Sequence, residues 1–315
     1  MKRLSAAVFL VGLAAQATPS TTFWAPSNTA IQSFLVPHLT YDTYFWNKPA
    51  SGFNGSPIYP VTTGLTMGIL PWDDLQLEVG FDLLLPGTDP LLLNAKLGVP
   101  EDRLFAFQPS LAVGVFGAGT KRSTLATAGT DYNILYGQMQ HTIPTVGGYV
   151  SVGGYYALQD RLFQASDGSG TQRAGFMGGV VSPDINVNLP WLSKINFAAD
   201  VQTGKNAFGA AGGGITLYFT DKIDVLTGPV FFFDSGSQPG GRQWFWTVQL
   251  DVDLPLRSSP APATPPVAAA SAPAPGLAAA PAAQPAVVPA SASGDAKPLV
   301  VPAVDTKSDA EVKKQ

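Results

Sequence analysis

The sequence predicts an all-β fold: an antiparallel up-and-down transmembrane β-barrel of about 12 strands, with 10 or 14 as alternatives, followed by a disordered Pro/Ala-rich tail. Low charge without a long apolar run, two-residue alternation and asymmetric turn spacing predict it. Charged residues make up 13% of the 315 residues, against about a quarter in soluble domains. After Ala17 no run of about 18 apolar residues occurs, so no transmembrane helix is expected. Barrel strands show lipid every second residue, so they need no continuous apolar run.

Alternation is unbroken from Leu75 to Leu83 and from Trp246 to Leu254, and it recurs from Leu93 to Leu97 and from Ile195 to Gln202. One face of each segment is therefore apolar and the other polar. A soluble sandwich alternates too, and turn spacing favours the barrel. Short breaks fall at 71–74, 100–103, 143–146, 190–194 and 220–222. Between them lie longer polar connections at 47–57, 121–131, 159–172 and 234–241, with two short ones at 86–90 and 203–207. Short turns on one side and long loops on the other are the asymmetry of periplasmic turns and external loops. An even strand number leaves both termini in the periplasm. Trp46, Trp72, Trp191, Trp244 and Trp246 lie at predicted strand ends or turns, where interface girdles want amphipathic rings.

Four segments follow. Residues 1–17 read as a signal peptide: Met1-Lys2-Arg3 is basic, Leu4 to Ala15 is uncharged, and Ala15-Gln16-Ala17 is a small-x-small cleavage triplet. Residues 18–35 read as an N-terminal periplasmic segment, and 36–256 as the outer-membrane barrel. Residues 257–315, without an aromatic residue and rich in Ala, Pro, Ser and Val, read as a disordered tail.

Three stretches carry a family likeness: Met67-Gly-Ile-Leu-Pro-Trp-Asp-Asp-Leu-Gln-Leu-Glu-Val-Gly80, Ile215-Thr-Leu-Tyr-Phe-Thr-Asp-Lys-Ile-Asp-Val225 and Asn196-Phe-Ala-Ala-Asp-Val-Gln-Thr-Gly-Lys-Asn206. In them the chain resembles uncharacterised porin-like (transporter-type) outer-membrane β-barrel families of Gram-negative bacteria. The resemblance covers the barrel segment and implies porin-like transport. Barrels of this kind end in an aromatic residue, whereas here the last strand closes with Asp253-Leu-Pro-Leu256 and a tail follows.

The composition argues against most chemistry. With no Cys, disulfides and thiolate metal sites are excluded. The two His, His38 and His141, lie about a hundred residues apart and read as polar lumen or surface groups rather than a hydrolase dyad. No metal-ligand spacing is seen. Gly114 to Ser123 fails as a phosphate loop because Lys121 does not follow Gly119 directly and no helix pattern comes next. A net charge of −4 without a basic stripe argues against nucleic acid. No enzyme and no cofactor are expected.

The polar faces are the informative feature. By alternation Asp42, Glu78, Asp82, Lys96, Asn196, Asp200, Gln202, Gln249 and Asp251 point into the lumen. Their carboxylate excess favours cations or neutral solutes. The expected function is a passive outer-membrane channel for small solutes, whose partners are lipid, solutes and, through the tail, peptidoglycan. The alternative is a non-conducting structural barrel whose tail serves as a periplasmic tether, because about 12 strands enclose a bore that side chains are able to fill.

Overall fold

Lipid offers backbone groups no hydrogen-bond partner, so strands that alternate in this way satisfy their edges only by closing on themselves. The computed structural model, which describes residues 20–46, 50–51, 57–85, 90–119, 132–143, 147–238 and 241–256, shows that closure. The strands in chain order are β1 (Pro37–Phe45), β2 (Ala50–Ser51), β3 (Pro57–Ile58), β4 (Val61–Gly68), β5 (Gln76–Leu85), β6 (Leu91–Val99), β7 (Ser110–Ala118) and β8 (Ile134–Thr142). They continue as β9 (Tyr149–Ala157), β10 (Ala174–Val181), β11 (Ile185–Leu189), β12 (Leu192–Gln202), β13 (Ala210–Tyr218), β14 (Ile223–Phe232) and β15 (Trp244–Asp253).

Twelve of these form a closed antiparallel barrel in chain order, β1 pairing with both β4 and β15, and β10 with β12. The short β2 and β3 pair with each other. Ile185 to Leu189 alternates like a membrane strand, but five residues fall short of the 9–11 or so that span a bilayer. It forms a hairpin with the start of β12 (Ile185↔Ile195, Leu189↔Leu192), while β10 takes the rest (Val181↔Ala198 to Met177↔Gln202).

The strand ends that flank the short breaks read from the sequence lie at one end of the barrel, the end that carries Pro37: those of β4 and β5, β6 and β7, β8 and β9, β10 and β12, and β13 and β14. The strand ends that flank the long connections lie at the other end. Along the strands Leu39, Tyr41, Leu93, Val113, Val152, Phe197 and Phe231 are exposed, and Phe176 is 74% exposed. Their neighbours Thr40, Asp42, Asn94, Ala112, Ser151, Met177, Ala198 and Val230 are buried. An apolar belt of this extent calls for lipid, not water. Among the described residues of the twelve barrel strands the ladder slips between Leu93 and Ala95 on β6. Gly117 there takes φ +61, and its N–H donates to Asn94 Oδ1 at 2.8 Å, a bulge that needs a residue free of Cβ.

One segment lies elsewhere than the sequence suggests. Residues 18–35 read as an N-terminal periplasmic segment, yet within the described part Ser20, Thr22, Phe23, Ala25, Ser27, Asn28 and Ile31 are buried, and Ser20, Phe23, Ala25, Ser27 and Asn28 are bonded to lumen-facing side chains. Ser, Thr and Asn in this stretch show no period, so they resemble a loop. A polar lumen accepts such a segment where an apolar core would reject it.

The regions 1–17 and 257–315 lie outside the described residues. The last barrel pairings, His38↔Asp253 to Phe45↔Trp246, are complete before Leu256. A chain stopped after Leu256 is therefore expected to assemble and to keep its heat-modifiable gel migration. Failure to insert would make the tail part of the fold.

Candidate functional site: the lumen and its occupant

Residues 20–33 form a loop inserted into the lumen from the short-turn end. Its two arms meet the same carboxylate. The Ser20 N–H and hydroxyl donate to Glu78 at 3.2 and 3.0 Å, and the Gln32 N–H donates to Glu78 Oε2 at 2.7 Å. Glu78 faces Lys96 across the β5–β6 pair, with Lys96 Nζ 3.6 Å away. Lys96, 0% exposed, donates to Ser20 O at 2.7 Å, Ala30 O at 2.9 Å and Asn28 Oδ1 at 3.2 Å. One buried ion pair thus ties both arms to the wall.

The apex lies near the long-loop end. Asp200, two residues from the end of β12, accepts the N–H groups of Phe23 (3.0 Å), Trp24 (3.0 Å) and Ala25 (2.8 Å) and the Ser27 hydroxyl (3.1 Å). Bonds to an ionised acceptor are about twice as strong as neutral ones, so this carboxylate acts as a latch. Trp24 stands edge-on to Phe245 (5.4 Å) and Phe232 (5.7 Å), and its indole N–H donates to Phe208 O at 3.0 Å. Phe208 stacks on the buried Phe163 at 5.2 Å. The indole therefore joins two aromatic clusters that fill the mouth.

On the return arm the Ser151 hydroxyl donates to Ser27 O, Thr29 Oγ1 lies 2.6 Å from Ser110 Oγ, and Gln32 Nε2 donates to Asp253 Oδ1 at 2.8 Å. Glycines clear the seat. A Cβ on Gly212 would lie 2.6 Å from the Phe23 ring, and one on Gly179 would lie 2.8 Å from Thr22 Oγ1.

The remaining lumen wall is acidic. His38 lies 3.0 Å from Asp253 and 3.3 Å from Asp251. Asp224 is the cross-strand neighbour of Asp251, and Asp42 is that of Gln249. Asp42, Asp224 and Asp251 each keep a buried oxygen without a protein hydrogen bond among the described residues. Asp82 accepts from Asn94 at 2.6 Å, Gln249 donates to Phe23 O at 3.0 Å, and Asn196 donates to Asp184 and Tyr218 at 3.0 Å. Gln202 is buried near the long-loop end of β12. All nine lumen candidates are therefore buried, and five of them, Glu78, Lys96, Asp200, Gln249 and Asp251, belong to the seat or to the His38 cluster.

The aromatic candidates divide. Trp72 and Trp191 are exposed at the short-turn end, and Trp244 and Trp246 at the long-loop end. Trp46 instead packs 5.7 Å edge-on to Phe245 with the Arg242 guanidinium over its ring at 4.0 Å. Outside the membrane span, Asp234 joins two long loops by accepting the Ser166 N–H (2.7 Å) and hydroxyl and the Ser237 hydroxyl (2.7 Å). Partial burial alone would raise its pKa, but these bonds hold it below the ordinary carboxylate value.

Sequence reasoning missed Ser20, Phe23, Trp24 and Ser27, and it gave His38 no partners. A Phe-Trp pair amid Ser, Thr and Asn directly ahead of the first strand is the signal that marks them. His141 is half-exposed, 3.7 Å from Glu101, so neither His among the described residues is placed against a Ser.

This closed twelve-stranded barrel, apolar outside and polar inside, has the architecture of a transmembrane β-barrel. No family model and no curated protein matches the chain. Among solved structures it is similar to the COG4313 outer membrane channel from Pseudomonas putida F1, at 12% identity over 73% of this chain and 99% of that one, with a TM-score of 0.41. It is also similar to the NanC porin, at 8% identity over 69% of this chain and 98% of that one (TM-score 0.40). Outer membrane phospholipase A from Escherichia coli matches at 14% identity over 70% of this chain and 92% of that one (TM-score 0.38).

Proposed function

We propose that the protein is a passive outer-membrane channel for small solutes that prefers cations or neutral molecules, with its short-turn end in the periplasm. The acidic lumen carries this reading. Asp42, Glu78, Asp82, Asp200, Asp224 and Asp251 are buried barrel-wall carboxylates, against Lys96 and His38 as the buried barrel-wall bases. Rings of carboxylates draw cations through a pore and repel anions. Among the described residues Asp42, Asp224 and Asp251 hold no part of the inserted segment, and a barrel that served only as a scaffold would gain nothing from these like charges, which repel one another when desolvated.

The second reading, a non-conducting barrel whose tail acts as a periplasmic spacer, rests on the occupied lumen. Planar-bilayer recording across a KCl gradient separates the two. The channel is expected to show a cation-side reversal potential. Replacing Asp42, Asp224 and Asp251 by Asn should move it toward the anion side. Silence under all conditions, including those that free the lumen, would support the scaffold.

A further inference from the structure

We infer that residues 20–33 are a removable plug, and that the channel, taking the reading above as its basis, conducts only while this segment is out of its seat.

Three observations carry this inference. First, the barrel does not need the segment. All twelve wall pairings are made by residues 37–253, and the isolated bridge from Phe34 to Gly68 lies just beyond the segment. Second, the route out is open in topology. Ser20 and Gln32 both bond Glu78, three residues into β5 from the short-turn end. The loop thus enters and leaves by one mouth and is not threaded through the barrel. Third, the seat is built to fit and polar enough to be vacated. Gly212 and Gly179 leave room for Phe23 and Thr22. Water can replace the plug's partners on Glu78, Lys96, Asp200 and Ser151, whereas an all-apolar seat would offer water nothing.

With the plug seated, Trp24 joins the Phe245 cluster to the Phe208 cluster and the mouth is filled. Withdrawal takes Phe23, Trp24 and Ala25 out of that packing and parts the two clusters. It also returns Glu78 and Asp200 to the lumen with free oxygens.

The absence of cysteine makes a direct test available in the full chain. Thr29 Oγ1 and Ser110 Oγ already meet at 2.6 Å, so the double variant Thr29→Cys/Ser110→Cys places its two thiols side by side. Oxidation in membranes should form the bond in high yield, and a failure to cross-link would overturn the seating itself. In planar bilayers the oxidised protein should be silent, and a reductant should restore wild-type current. Asp200→Asn, which weakens the latch, should raise mean current about tenfold or more, the factor given by 1.4 kcal/mol of lost stabilisation. Equal current from oxidised and reduced forms would overturn the plug and leave the channel reading standing. Silence of every form, Asp200→Asn included, in barrels that still migrate as folded would overturn the channel reading and the plug gate with it.

Discussion

Val79→Arg is expected to lower the unfolding free energy by roughly 2–4 kcal/mol, the cost of an Arg on the lipid face near the bilayer midplane. Val79 sits midway along β5, 38% exposed, between Leu77 and Phe81 on one face, with Met67 and Ala95 as cross-strand neighbours. Among the described residues, the neighbours Leu77, Phe81, Met67 and Ala95 offer the guanidinium no partner, so it must snorkel along the strand or draw water inward. Val79→Leu is the control. Fluid acyl chains accept the extra methylene, whereas a close-packed core resists added volume at about 1–3 kcal/mol. Urea midpoints in lipid vesicles measure both variants. A Val79→Arg protein as stable as wild type would mean that this face does not meet lipid.

That prediction rests on what the sequence makes legible. A two-residue period is local, so Leu75 to Leu83 shows without coordinates that Val79 and Glu78 face opposite ways. The grouping of short and long connections is local as well, since turn residues announce themselves, and the count of alternating stretches, about 12, matches the twelve strands of the barrel. What each face meets is a long-range property. The sequence places Glu78 in a lumen of water, where Glu78→Arg would be harmless. Instead Glu78 lies under Ser20 and Gln32, which are 58 and 46 residues away. Trp46 looks like a girdle residue because it ends a strand, but its ring turns into the mouth, where Phe245 and Arg242 receive it. Ile185 to Leu189 has the period of a membrane strand and lacks only the length. The Gly-rich stretch from Gly204 to Gly214 reads as tight bends and clearance in the lumen, but nothing local to it points to Phe23, which Gly212 makes room for.

Lys96→Met is expected to have the largest effect of any single substitution in the wall. Truncating one partner of a buried ion pair costs about 3–5 kcal/mol, because the other charge stays behind without compensation. Here the loss reaches further. Ser20 O and Ala30 O lose their ammonium donor along with Glu78, while Asn28 Oδ1 keeps the Ala30 N–H at 3.0 Å, and each buried acceptor left unmatched adds a penalty of about 1–3 kcal/mol if water cannot reach it. The protein has a way to relieve this that a solid core lacks. If residues 20–33 leave, water enters and solvates Glu78. The barrel ladder should therefore survive, and most of the damage should fall on the seating of the segment. Removing both charges together, as in Lys96→Met/Glu78→Gln, should harm less than Lys96→Met alone, which a double-mutant cycle would show as a coupling well beyond the few tenths of a kcal/mol typical of independent sites. Two measurements divide the cost: the urea midpoint of the barrel in vesicles, and protease cleavage within residues 20–33. A large rise in cleavage with a small shift in midpoint is the expected pattern. A fall in midpoint with the segment still protected would make Lys96 a pillar of the barrel wall rather than the tie that holds its occupant.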